Sequence, residues 1–111
     1  MDRTYELAQL YQQSGLKDLL VTKGQRYFPD EDFSKLMFEG NDYRLSSIEL
    51  YDPKREDVYF RVHYHDDAPS WLADALKDWT GFRNANRTGT NLLGDPLTHA
   101  KALAELLSKH R

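Results

Sequence analysis

The sequence predicts an α+β fold. A three-stranded antiparallel meander occupies about residues 34–65, an N-terminal helix precedes it, and two C-terminal helices follow, all packed on one face of the sheet. Three observations lead there. Val58–His65 alternates, with Val58, Phe60, Val62 and Tyr64 on one side and Tyr59, Arg61, His63 and His65 on the other, the period of a half-buried strand. Residues 3–14, 69–79 and the run after Pro96 carry apolar side chains at helical spacing instead. Short polar connections separate the extended runs, which favours antiparallel neighbours.

In chain order, the first helix covers residues 3–14, with Leu7, Leu10, Tyr11 and Ser14 on one face. Asp2 is placed to cap it, and Glu6 adds charge that suits a helix N-terminus. Ser14-Gly15 is a stop signal, because Gly tolerates the left-handed backbone that ends many helices. Residues 15–28 admit two readings. The preferred one continues the helix to about Val21; the other places strands at Leu19–Thr22 and Gln25–Phe28 around Lys23-Gly24. Pro29-Asp30-Glu31-Asp32 is a polar break.

The meander follows. Ser34–Glu39 turns Leu36 and Phe38 to one side. Gly40-Asn41-Asp42 supplies turn chemistry. Arg44–Tyr51 sets Ile48 and Leu50 against Glu49 and Tyr51. Asp52–Glu56 is a charged loop in which Pro53 stops pairing, and Val58–His65 is the third strand. Pro69 suits the first turn of the next helix, whose stripe is Leu72, Ala75, Leu76 and Trp79. Residues 82–94 lack periodicity and read as a long polar loop. Asp95 caps the last helix, Pro96 fits its first position, and Leu97, Ala100, Leu103, Ala104 and Leu107 form its core face.

The bulk numbers set the class. A chain of 111 residues predicts one domain, 1–111. It is 40% hydrophobic and 30% charged, a globular composition. Its 15 basic and 18 acidic residues are interspersed, for a net charge of −3. A nucleic-acid binder usually carries a basic stripe, so nucleic acid is an unlikely partner. The absence of cysteine excludes disulfides and thiolate chemistry and fits a reducing, cytoplasmic setting. The residues after Met1 hold no apolar segment of a signal peptide, and no run is long enough to span a membrane.

Three candidate sites stand out. The first is the polar side of the meander, Tyr59, Arg61, His63 and His65, joined by Glu49 and Tyr51 of the neighbouring strand. Tyr and Arg bury much area at modest entropy cost and are enriched at interaction hot spots. The alternative for these residues is an ordinary solvated sheet face. The second is His63, His65 and Asp67 as ligands of a divalent metal such as zinc. Residues two apart on a strand share a face about 6–7 Å apart, within reach of one ion. His63-x-His65-x-Asp67 resembles the ligand run of metallo-β-lactamase-like hydrolases over five residues. That family has a longer chain and further histidines, so its activity is not carried over. The alternative is a pair of surface histidines with aspartates capping the next helix. The third is Arg83, Arg87 and Thr88, which could hold an anion or a nucleic-acid phosphate. Their spacing matches no phosphate-binding fingerprint, and a loop with solvated arginines is the alternative.

No catalytic constellation is complete. The serines lie in no nucleophile-elbow context, and the adjacent Asp66 and Asp67 cannot flank a substrate. The expected function is therefore a small accessory or regulatory interaction protein without catalysis or cofactor. It would bind a protein partner, or itself as a homo-oligomer, through the polar sheet face. Metal or small-ligand binding at His63, His65 and Asp67 ranks second, and anion or nucleic-acid binding by 82–94 third.

Overall fold

Leu7, Leu10, Tyr11 and Ser14 form the buried stripe of the first helix, α1 (Arg3–Ser14), at the spacing the sequence predicts. The structure, a computed structural model, describes residues 3–20, 23–27, 33–39, 41–51, 59–79, 82–85 and 89–110. The helix does not run on to about Val21. Gly15 adopts φ +88°, which breaks the helical path, and the chain resumes for one turn as α2 (Leu16–Leu19). The Ser14 hydroxyl braces the break. It donates to the Tyr11 carbonyl at 3.1 Å and accepts from the Leu16 N–H at 3.2 Å. Next comes β1 (Lys23–Tyr27), near the second of the two strands in the other reading. Val21, Thr22 and Phe28 lie outside the described residues.

The expected meander is present as β2 (Phe33–Glu39), β3 (Leu45–Tyr51) and β4 (Tyr59–Tyr64), paired antiparallel in sequence order. The turn between β2 and β3 is built by Asn41. Its side-chain amide donates to the Leu45 carbonyl at 2.7 Å, and its side-chain oxygen accepts from the Leu45 N–H at 3.0 Å. Arg44 closes the turn at φ +62°, a left-handed position usually taken by Gly. Leu45 pairs with Tyr64 but Ser47 pairs with His63, so Ser46 is an inserted residue. This bulge returns Leu45 to the core side, where it is fully buried.

The sheet is larger than the meander, with six strands in the order β1-β2-β3-β4-β6-β5. After β4 the chain forms α3 (Ser70–Lys77), then β5 (Phe82–Ala85), β6 (Gly89–Leu93) and α4 (Pro96–Ser108). The expected loop at 82–94 is thus corrected to a strand pair. Asn84, Asn91 and Gly89 are poor strand formers, so no alternation announces it. Tertiary context supplies the reason: β4 would otherwise present an unpaired row of N–H and C=O groups, and β6 pairs with it from Tyr59↔Leu93 to His63↔Gly89. The helix ends match the sequence. Asp95 caps α4 by accepting from the Thr98 N–H at 3.3 Å, with Pro96 in the first position.

All four helices cover one face of this sheet. Leu36 and Phe38 of β2, Ile48 and Leu50 of β3, and Phe60, Val62 and Tyr64 of β4 form one buried cluster with residues from every helix. Tyr43 reaches across it, donating its hydroxyl to the Leu107 carbonyl at 3.1 Å. Trp71 stacks on His110 with centroids 3.7 Å apart, and Trp79 Nε1 donates to His99 Nδ1 at 3.0 Å, tying α3 to α4. No described helix is long and apolar enough to cross a membrane.

Candidate functional site

The opposite face of the sheet is organised by register. One row runs Lys35, Glu49, Arg61, Asn91 and Asn84 across β2, β3, β4, β6 and β5. Next to it run Phe33, Tyr51, Tyr59 and Leu93. On its other side run Arg26, Met37, Ser47, His63 and Gly89. Five of the six expected face residues, Glu49, Tyr51, Tyr59, Arg61 and His63, therefore belong to three adjacent rows. His65 does not join them. It follows the end of β4, is exposed, and donates its backbone N–H to the Arg44 carbonyl at 2.8 Å.

Glu49 is the centre of the face. It is 3% exposed, although no described helix packs over it. Longer neighbours on adjacent strands enclose it. Lys35 Nζ lies 3.1 Å from Oε1, His63 Nε2 lies 3.1 Å from Oε2, and Arg61 Nη1 lies 3.6 Å from Oε2. Burial pushes the Glu49 carboxyl up, but the hydrogen bond and charge of His63, with those of Lys35, outweigh it and leave the group below the ordinary glutamate range. The carboxylate only accepts, so His63 donates through Nε2, which orients the imidazole. The three cation-bearing side chains remain 32%, 25% and 23% exposed for Lys35, Arg61 and His63. Their outer surfaces reach solvent while their inner donors are committed.

This arrangement fixes orientation better than it supports catalysis. Ser47, His63 and Glu49 are the residue types of a hydrolase triad, and Ser47 stands opposite His63. Yet Ser47 is only 2% exposed, closed to a substrate carbonyl. The proposed metal ligands also point to separate duties. His63 is held by Glu49, while Asp67 accepts Arg44 Nε at 3.1 Å and Arg44 Nη2 at 3.0 Å. This guanidinium fork keeps the Asp67 carboxyl below the usual range. Among the described residues, no group of three His, Cys, Asp or Glu is placed to hold a metal ion. Of the proposed anion site, Arg83 falls in β5, and Arg87 and Thr88 lie outside the described residues.

Sequence reasoning missed Lys35, Met37, Phe33 and Leu93. The alternation around Leu36 and Phe38 already separates Lys35 and Met37 from the core side. Which residue each one faces depends on register, and Leu93 needed β6 to exist. On the helical side, two open clefts of about 470 and 350 Å³ lie where α4 meets α1 and α2. Ser14 lines the larger one, with its hydroxyl spent on the backbone as described above, and neither cleft sets a nucleophile beside a base. No protein-family model, curated protein or solved structure matches this chain.

Proposed function

We propose that this chain is a small, non-catalytic interaction module that binds a protein partner through the sheet face opposite its helices. The supporting observation is the enclosure of Glu49 by Lys35, Arg61 and His63 on that face. A charge network of this kind is a weak source of net stability and a good source of orientation and partner discrimination. Here it holds three long side chains in defined positions before any partner arrives, which lowers the ordering cost of binding. Tyr51 and Tyr59, directly opposed in the next row, are residue types that dominate interaction hot spots. Self-association through the same face is the homo-oligomeric form of this reading, and a cysteine-free chain suits a cytoplasmic setting.

The test is a capture from native lysate with wild type beside Tyr59→Ala/Arg61→Ala, each checked for fold by circular dichroism. Light scattering on the same proteins reads self-association. A protein, or a second copy, retained by wild type and lost by the folded variant supports the face. Identical retention by both removes it.

A further inference from the structure

We infer that the partner segment is acidic and apolar together: a protein segment whose apolar side chains lie along one row of the face while its carboxylates reach the next. This rests on the interaction reading above and names the chemistry of the partner.

Charge is the first argument. By register, Lys23, Arg26, Lys35 and Arg61 stand on this face with Glu39 and Glu49, and His63 lies among them. The face thus takes four of the chain's 15 basic residues and two of its 18 acidic ones. A molecule of net charge −3 has concentrated its positive charge here. Net charge alone argues against a polyanion, but a docked segment meets the local field first. Lys35 carries three N–H donors and Glu49 occupies one direction, so at 32% exposure the ammonium still presents donors outward. A carboxylate is the group these donors match.

Row geometry is the second argument. Phe33, Tyr51, Tyr59 and Leu93 cross four strands, about 14 Å at the usual strand spacing. The charged row Lys35–Glu49–Arg61 runs parallel to it, two residues along each strand and about 7 Å away. A segment lying across the strands meets apolar and aromatic residues on one side and cationic ones on the other. Glu49 sits within the cationic row and repels a stray carboxylate at its centre, so carboxylates are directed toward Lys35 and Arg61 at its flanks. A basic segment would meet the same cations and be rejected.

The experiment is a titration of ¹⁵N-labelled protein with two synthetic sixteen-residue peptides. Both carry the same Leu and Phe positions; one has Glu at every polar position and the other has Lys. The acidic peptide should shift the backbone amides of Lys35, Glu49, Arg61 and His63, and the basic peptide should not. Lys35→Gln, which leaves Arg61 and His63 on Glu49, should weaken acidic-peptide binding about tenfold. Raising salt from about 50 to about 300 mM should weaken wild-type binding several-fold, an arm independent of any variant. Binding of the basic peptide at the same amides overturns the acidic partner but keeps the face. Concentration-dependent shifts there without peptide do the same and make a second copy the occupant. Shifts produced only by an oligothymidylate probe overturn it in favour of nucleic acid. Shifts confined to the helical side overturn both the partner chemistry and the interaction face.

Discussion

Replacing Glu49 with Gln should lower stability by about 2 kcal/mol. The carboxylate is 3% exposed and is reached by Lys35 and His63 at 3.1 Å each and by Arg61 at 3.6 Å. Gln keeps the volume but removes the charge, and it turns one acceptor into a donor facing a cation. Breaking a fully buried pair by removing one partner costs about 3–5 kcal/mol. The three cations here keep 23–32% of their side chains exposed, so water recovers part of that loss. The discount brings the cost to about 2 kcal/mol. With a urea slope of about 1.5 kcal/mol/M, the midpoint should fall by about 1.3 M. Urea unfolding followed by tryptophan fluorescence reads it directly. An unchanged slope with a shift under about 0.3 M would refute the reasoning. The pH dependence adds a second check. Glu49 in the folded protein titrates below the ordinary glutamate value of 4.5, so its contribution is complete above that value and lost as pH falls through the depressed one. The gap between wild type and Glu49→Gln should therefore be wide at neutral pH and close in acid. A gap that persists at about pH 2.5 would mean that the charge is not its source.

Three further substitutions test the frame around the face. Arg44→Gly should be more stable than Arg44→Ala by about 1 kcal/mol, because both lose the fork to Asp67 and only Gly accepts φ +62° without strain; equal urea midpoints would sink this. Asn41→Ala should cost about 2–3 kcal/mol, since it strips both hydrogen bonds from the buried Leu45 backbone, and a shift in melting temperature of under about 3 °C would count against that clamp. Trp79→Phe should cost about 1–2 kcal/mol by removing the indole donor from His99 Nδ1, a ring only 9% exposed; ¹⁵N spectra of the imidazole should move with it, and an unchanged His99 spectrum would show that this bond is absent in solution.

The meander was legible because its core side repeats cleanly. Leu36 and Phe38, Ile48 and Leu50, and Phe60, Val62 and Tyr64 each alternate with polar residues, and burial enforces that alternation. Asp95-Pro96 was legible because a cap and a fixed φ act locally. Gly15 was recognised as a stop, but its outcome turned on whether one glycine ends a helix that Leu16, Leu19 and Leu20 could extend. The answer came from a left-handed φ braced by Ser14, which composition does not encode. β5 and β6 were missed for a tertiary reason. Phe82–Ala85 and Gly89–Leu93 have little strand propensity of their own, and the edge of β4 recruits them. The candidate face shared this division. Parity put Arg61 and His63 together, and Glu49 with Tyr51, but only register brings Glu49 under Lys35, Arg61 and His63 at once.

If that enclosure serves orientation rather than stability, replacing the network whole should differ from breaking it. Glu49→Gln leaves cations without their acid. Lys35→Met/Glu49→Leu/Arg61→Met removes both signs together and fills the space with side chains of similar length. Exchanging a buried charge network for apolar residues is often neutral or stabilising, so the triple variant should fall within about 1 kcal/mol of wild type. The helical side gives reason to expect this. Leu7, Leu16, Leu36, Phe60, Leu72 and Leu103 are all fully buried on that side and have no contact with the charged row. The triple variant should at the same time lose acidic-peptide binding and its salt dependence, because the donors are gone. Stability kept with binding lost assigns Lys35, Glu49 and Arg61 to recognition. A triple variant less stable than Glu49→Gln would assign them to the fold, and the sheet face would then have no claim as a binding surface built from charge.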